Sequence, residues 1–253
     1  MSEGQPAGLV IVTGGGRGIG AAVAALAAKR GYSVLLSYLQ DGDAAEGVAR
    51  AIRQDGGSVR AVQADIGSEA GVLQLFAAAD ATQRPLQALV NNAGVTGGFS
   101  RLEAVEDDAL RHVLAVNVAG SFLCAREAVR RMSTRHGGRG GSIVNVSSMA
   151  AKLGGASEWI HYAASKGAIE SLTVGLAREV AMEGIRVNAV APGLIETGLH
   201  AAAGAPDRLA RLAPSVPIGR AGTPDEVAEA ILWLLSPTAS YVTGAIVPVA
   251  GGR

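Results

Sequence analysis

Tyr162 and Lys166 stand four residues apart in a stretch with helical spacing, which sets a phenol and an ammonium side by side on one helix face. A phenol with an ordinary pKa of about 10 is a poor acid or base near neutrality. A neighbouring ammonium favours the phenolate and brings that pKa down by about 1–3 units, so the pair reads as a proton donor and acceptor for an oxygen. Ser147 and Ser148 end the apolar run Ile143-Val144-Asn145-Val146, shortly before the tyrosine. A serine hydroxyl at the carboxyl end of a strand can hold a carbonyl oxygen while the tyrosine protonates it. Asn91-Asn92-Ala93-Gly94 ends the preceding strand-like run, at the same edge. Tyr-x-x-x-Lys alone also fits an ordinary surface pair on an amphipathic helix, so the convergence around it carries the reading.

A third feature reaches that edge. Leu9–Thr13 runs straight into Gly14-Gly15-Gly16-Arg17-Gly18-Ile19-Gly20 and then an alanine-rich helix. A strand, a glycine turn and a helix N-terminus make an anion site, because unpaired N–H groups and the helix dipole point at the ligand. Two registers fit a dinucleotide turn: Gly16-x-Gly18-x-x-Ala21, and the wider Gly14-x-x-x-Gly18-x-Gly20. An NAD-selective site places an acid at the end of the second strand, about 20 residues on, for the ribose 2′-OH. Here that position reads Ser37-Tyr38-Leu39, without a carboxylate. Arg17 and Ser37 suit a 2′-phosphate instead, which favours NADP(H). Asp41, a few residues further on, keeps NAD(H) open as the second reading.

The elements that must position these groups alternate along the chain. Leu9–Thr13, Ser33–Ser37, Ser58–Gln63, Leu86–Asn91, Ser142–Ser147, Arg186–Ala191 and Ala245–Val249 read as strands, most of them continuous Val/Ile/Leu runs. That pattern belongs to strands buried on both faces of a parallel sheet. Helical spacing fills 18–30, 43–55, 68–80, 106–134, 158–182 and 224–235. Ser68 and Thr223 are candidate caps, with Pro224 at a first helical position. The alternation predicts an α/β, doubly wound, mostly parallel seven-stranded sheet with helices on both faces, as one domain over residues 1–253. His136–Gly141 reads as a surface turn. The stretch 194–217 has weak periodicity and follows a strand end, where open α/β sheets bind ligands, so it is the candidate substrate loop.

Composition narrows the classes. Of 253 residues, 49% are hydrophobic and 17% charged, which argues against disorder. Lys+Arg and Asp+Glu total 22 each, so the basic excess of a nucleic-acid binder is missing. No apolar run is long enough to predict a membrane span. Met1–Gln5 show no secretory pattern, and the single cysteine, Cys124, rules out an internal disulfide or a cysteine metal cluster. A cytoplasmic protein without a metal is expected, with Cys124 as an inert buried thiol.

Together these residues resemble the short-chain dehydrogenase/reductase family, in its branch of roughly 250 residues, over nearly the whole chain. Thr13-Gly14-x-x-x-Gly18-x-Gly20 resembles its cofactor turn and selects the second register. The resemblance implies a Rossmann-type domain and assigns Gly14, Arg17, Gly18, Ile19, Gly20 and Ser37 to the cofactor. It adds Asp65 and Ile66 beside the adenine, and Asn92, Ala93 and Gly94 at the central strand end. Pro192, Gly193 and Thr197 fall near the nicotinamide carboxamide, and Tyr162 and Lys166 serve cofactor and catalysis alike. Asn117, Ser148, Tyr162 and Lys166 match the family's catalytic tetrad, with Asn117 holding a water in a proton relay. A homotetramer is implied, with 106–134 and 158–182 as its interfaces.

The expected chemistry is hydride transfer between the nicotinamide and a small-molecule ketone, aldehyde or secondary alcohol, a 3-oxoacyl thioester among them. A glucose-type sugar dehydrogenase and a catalytically silent NADP-binding scaffold are the alternatives. Enoyl reductases of this fold space tyrosine and lysine more widely. Among other residues, Trp159 lines the pocket or packs, His161 packs, and Arg220 is a structural loop residue. Arg208 and Arg211, the basic residues of the 194–217 loop, are expected on a solvated helix face rather than against an acidic carrier or phosphopantetheine.

Overall fold

Seven short apolar runs pair into one sheet: β1 (Leu9–Val12), β2 (Ser33–Tyr38), β3 (Ser58–Gln63), β4 (Leu86–Asn91), β5 (Gly141–Val146), β6 (Ile185–Pro192) and β7 (Ile246–Val249). Their spatial order is β3-β2-β1-β4-β5-β6-β7, and every neighbouring pair is parallel. The computed structural model describes residues 8–253, so the reading of Met1–Gln5 lies outside the described residues. The helices are α1 (Gly18–Lys29), α2 (Gly42–Gln54), α3 (Glu69–Asp80), α4 (Asp107–Val113) and α5 (Gly120–Met132). After them come α6 (Ala150–Leu153), α7 (Ile160–Val180), α8 (Leu199–Ala202), α9 (Arg208–Leu212) and α10 (Pro224–Leu235).

Alternation along β1 divides the core. Val10 and Val12 pack toward α1, α2 and α10 with Leu36, Val90 and Ile231. Leu9 and Ile11 pack the other way, toward α3, α5 and α7, with Leu75, Phe76 and Leu89. Both faces are therefore covered, which is why the strands carry continuous apolar runs. Burying each such Leu or Ile contributes roughly 1.5–3 kcal/mol. Cys124 lies in the second layer, its thiol pushed up to about 12 by burial.

Local signals hold the helix starts. Thr223 accepts a hydrogen bond from the Glu226 N–H while the Glu226 carboxylate accepts from the Thr223 N–H, a reciprocal cap with Pro224 at the first position. Arg220 pairs with Glu226 at 2.6 Å, which makes it the structural loop residue expected. Ser68 caps α3 through the Gly71 N–H.

The structure departs from the pattern at four places that bear on the site. β1 stops at Val12 and β5 at Val146, one residue earlier than their composition implies, so Thr13 and Ser147 lie just past the sheet. The stretch 106–134 is not one helix: α4 gives way to a π-helical segment, Leu114–Ala119, before α5 begins. A π turn inserts an extra residue per turn and recurs at functional sites. The loop 194–217 contains two short helices, α8 and α9, too brief for a hydrophobic period to be read.

Candidate active site

Between β1 and β4 the strand order reverses, and the crevice there opens at the carboxyl ends of the strands. Thr13 latches it. Its hydroxyl oxygen accepts from the Asn92 and Ala93 N–H groups at 3.0 and 3.1 Å, while the Asn92 amide donates to the Thr13 and Gly14 carbonyls at 2.9 and 3.0 Å. The Ser37 hydroxyl accepts from the Gly14 N–H at 3.2 Å, tying the end of β2 to the same turn. The glycines are geometric requirements. A Cβ on Gly20 would stand 2.2 Å from the Gly14 carbonyl oxygen and 2.5 Å from the Asn92 amide nitrogen. Gly18 holds φ +53, and Thr197 of the 194–217 loop packs over it. Gly14, Gly18 and Gly20 thus shape the turn in the wider register.

The remaining cofactor candidates ring the same crevice. Arg17 is exposed at the N-terminus of α1, and Ile19 follows it. Asp65 accepts from the Gly67 N–H at 2.9 Å, next to the buried Ile66. Gly193 donates to the Val249 carbonyl at 3.0 Å and the Pro192 carbonyl accepts from the Met149 N–H at 2.9 Å, which fixes the end of β6 beside α6. Asp41 caps α2, its carboxylate accepting from the Ala44 N–H at 2.9 Å.

Ser148, Tyr162 and Lys166 line this crevice, a cavity of about 640 Å³ and so within the range of small-molecule sites. Ser147 and Ser148 point to different places. The buried Ser147 hydroxyl donates to Glu170 at 3.1 Å and lies within 3.3 Å of the Lys166 carbonyl oxygen, behind α7. Ser148 accepts from the Ala150 N–H at 3.1 Å, and its hydrogen bond reaches the Tyr162 phenol. Ser148 is therefore the serine that faces the tyrosine. Burial pushes the Tyr162 pKa up and the Ser148 hydrogen bond pulls it back.

Lys166 is buried one helical turn on, 5.6 Å from the centre of the Tyr162 ring, and donates to the Val146 carbonyl at 2.7 Å. Burial pushes its ammonium down to about 8. Gly94 leaves the room for it, since a Cβ there would stand 3.4 Å from the Lys166 nitrogen and 3.3 Å from the Asn117 amide oxygen.

Asn117 sits in the π-helical segment, fully buried. Its amide accepts from the Val95 N–H at 2.8 Å and donates to the Val95 carbonyl and the Ser165 hydroxyl, both at 2.9 Å. Both amide hydrogens and one lone pair are engaged by protein, leaving one lone pair. The amide thus clamps the β4 end to α7.

Trp159 supplies an aromatic wall to the cavity. Trp159 stacks on Phe99 with ring centres 4.5 Å apart and leans on Tyr162 at 5.4 Å. His161 turns away to the Thr96 carbonyl at 2.8 Å and packs, as its helix position predicts. Arg211 is exposed, but Arg208 is not on a solvated face. It is 5% exposed, lines the cavity, lies over Trp159 and pairs with Glu158 at 2.6 Å. Sequence reading placed Thr13 in the glycine-turn motif without its latch role, and it gave Phe99 and Glu158 no place in the site. The threonine has a signal, its place just before the glycines; the other two have none within their own segments.

This fold and this edge have relatives. A family model described as enoyl-(acyl carrier protein) reductase matches residues 14–253. The uncharacterized oxidoreductase YgfF of Escherichia coli (strain K12) is 50% identical over 245 residues, covering 97% of this chain and 99% of the relative. The cis-4-hydroxycyclohexanecarboxylate dehydrogenase of Sinomonas cyclohexanicum is 42% identical over 252 residues, 100% of this chain and 98% of the relative. A blue fluorescent protein from a metagenomic library, crystallised in complex with NADPH, superimposes with a TM-score of 0.88 at 32% identity, covering 97% of each chain. The chain belongs to the short-chain dehydrogenase/reductase family. It is an oxidoreductase of the alcohol/carbonyl class. No helix among the described residues is long and apolar enough to cross a membrane.

Proposed function

We propose that this chain moves a hydride between NADP(H) and a ketone, aldehyde or secondary alcohol, with Tyr162 as the proton donor in reduction and acceptor in oxidation. The observation that carries the reading is the placement of Ser148, Tyr162 and Lys166 in one cavity with the glycine turn. The turn fits a dinucleotide, since its glycines let the backbone close tightly against Asn92 and Ala93 and its helix N-terminus favours a pyrophosphate. Gly14, Gly18, Ile19 and Gly20 would hold the phosphates, Asp65 and Ile66 the adenine side, and Asn92, Ala93, Gly94, Pro192, Gly193 and Thr197 the nicotinamide side. The cofactor supplies the hydride chemistry.

The protein's own residues manage the oxygen and its proton. Ser148 and Tyr162 both hydrogen-bond the reacting oxygen, and Tyr162 gives or takes the proton. Lys166 favours the phenolate by charge and offers its ammonium to the nicotinamide ribose. Asn117 acts through position, holding the β4 end and Ser165 so that Lys166 keeps its place; its remaining lone pair is the one available to a relay water. NADP(H) over NAD(H) rests on Arg17, exposed at the turn, and on the absence of a carboxylate at Ser37-Tyr38-Leu39, Asp41 standing further on as the α2 cap. Ser37 contributes only its hydroxyl proton, the oxygen being occupied by the Gly14 N–H.

The relatives are named as dehydrogenases and oxidoreductases, and the four-residue Tyr162–Lys166 interval sets this site apart from the wider enoyl reductase spacing. Residues 1–253 act as one unit in the cytoplasm, with 194–217 as the substrate loop. A homotetramer is supported by exposed apolar side chains on the central helical stretch, Leu114 and Phe122 among them; gel filtration showing only monomer would remove it. The nucleotide assignment is tested by titrating NADPH and NADH into the purified protein and following intrinsic fluorescence. Tight NADPH with weak NADH supports it; equal or NADH-preferring binding overturns the Arg17 argument.

A further inference from the structure

Arg208 has an unusual position for an arginine on a substrate loop. It is 5% exposed, and among the described residues its guanidinium makes one hydrogen bond, from Nη2 to Glu158, while the enclosed Nε has no partner. A buried charged donor left without an acceptor is destabilising, and such a group calls for an explanation. The surroundings hold this guanidinium in place. Its carbon lies 4.8 Å from the Trp159 ring centre and 5.7 Å from that of Phe99. Trp159 in turn leans on Tyr162 at 5.4 Å, so one indole ring touches both the guanidinium and the ring of the proton donor.

The backbone is bent to build this corner. Ser157 adopts φ +60, in the left-handed region that a serine rarely enters. That turn delivers Glu158 to Arg208 and Trp159 to Phe99, while the Glu158 carbonyl accepts from the Ser100 N–H at 2.7 Å. Strain of this kind gathers at ligand sites. Three segments far apart in the chain thus converge to present one arginine inside the cavity that holds Tyr162.

We propose that Arg208 is the substrate anchor and that it recognises a carboxylate, so that the substrate class is a hydroxy acid or oxo acid. The reacting carbon and the acid group would be separated by about the width of a ring or a short carbon chain. The inference rests on the oxidoreductase reading of the same cavity. Guanidinium geometry favours a planar carboxylate, met by two parallel N–H donors. Glu158 already balances the arginine's charge, so the incoming group is a monoanion that shares the guanidinium. Trp159, held by its stack on Phe99, covers the apolar body between the two ends. Arg208 is thus a specificity residue, while Tyr162 and Ser148 remain the chemical ones.

The test uses two unreactive probes, cyclohexanecarboxylate and cyclohexanecarboxamide, titrated calorimetrically into protein saturated with NADP+. The expected result is carboxylate binding at least about tenfold tighter than carboxamide, the worth of a hydrogen bond to a charged group. Arg208→Met should bring the two probes to equal affinity, and Arg208→Lys should restore part of the difference. Glu158→Gln, which frees the guanidinium without removing it, should widen the preference for the acid, and it decides the matter if Arg208→Met fails to fold. Equal affinity in the native protein, or an acid preference that survives Arg208→Met, overturns the inference and leaves the proposed function standing. Failure of NADP+ to bind overturns the functional reading instead, and the same probes titrated into the cofactor-free protein still decide the role of Arg208.

Discussion

The two halves of the cavity are built from different materials. The cofactor half is backbone: glycines at a strand end, N–H groups at the start of α1, and short side chains, Thr13, Ser37 and Asn92, that tie three strand ends together. The half we assign to the substrate is side chain: Trp159, Arg208 and Glu158, with Phe99 stacked on the indole, drawn together from three distant segments. A backbone cradle tolerates few substitutions because main-chain atoms cannot move aside. A side-chain wall can be exchanged residue by residue, which lets one fold keep a cofactor while changing its substrate.

Breaking the backbone half should give the largest effect. Gly20→Val places a branched side chain where even a Cβ would stand 2.2 Å from the Gly14 carbonyl oxygen. NADPH affinity should fall by at least about tenfold, since overpacking costs typically 1–3 kcal/mol. Native affinity by fluorescence titration would mean that the turn is more pliable than its contacts show. Arg17→Ala comes next and acts on one nucleotide only. Loss of a charge-assisted contact to a 2′-phosphate should weaken NADPH by roughly 10- to 100-fold with NADH unchanged. Equal losses for both nucleotides would place Arg17 elsewhere on the cofactor.

The side-chain half should respond more gently. Phe99→Ala removes the partner of Trp159, a pair worth about 0.5–1.5 kcal/mol beyond its buried area. The Michaelis constant for a carbonyl substrate should rise severalfold while NADPH affinity stays put. A change in NADPH affinity instead would join the two halves that the structure keeps apart.

Where the halves meet, Lys166 gives the smallest effect, read as stability against pH. Its folded pKa, pushed down to about 8 by burial, lies below the ordinary 10.5. Between those values the unfolded chain holds a proton that the folded one lacks, so Lys166 makes stability rise with pH from about 8 upward. Tyr162 and Tyr32, both raised by burial, act oppositely only above about 10. The melting temperature of the native protein relative to Lys166→Met should therefore climb between pH 8 and 10, by roughly 2–4 °C for each kcal/mol recovered. A flat difference would show that the ammonium is better solvated than its burial implies.

The same contrast explains what the sequence could convey. The doubly wound sheet was legible because apolar runs of strand length alternate with helical spacing, and both faces of that sheet are indeed covered. The glycine turn was legible because only glycine meets its demands, so the residue type states the geometry. Tyr162, Lys166 and Ser148 were legible because a fixed interval and a strand end place them on one edge.

Other features had no local signal. Nothing in Leu114–Ala119 marks a π-helical segment, since its residues suit an ordinary helix equally well. Asn117 read as a water holder, whereas its amide is engaged mainly by Val95, a partner 22 residues away. Arg208 read as a solvated residue because a five-residue helix is too short to show a buried face. Its burial depends on Glu158 and Trp159, about fifty positions earlier in the chain, and only folding brings them together.

The central claim is that the phenol of Tyr162 carries the proton while the cofactor site stands independently of it. Tyr162→Phe removes one oxygen and leaves the ring against Trp159. Measured side by side, turnover of a carbonyl substrate should fall by about 100- to 10,000-fold, the usual contribution of a positioned acid or base, while NADPH affinity stays within about twofold of native. Near-native turnover in that variant would contradict the account, because another group would then have to supply the proton.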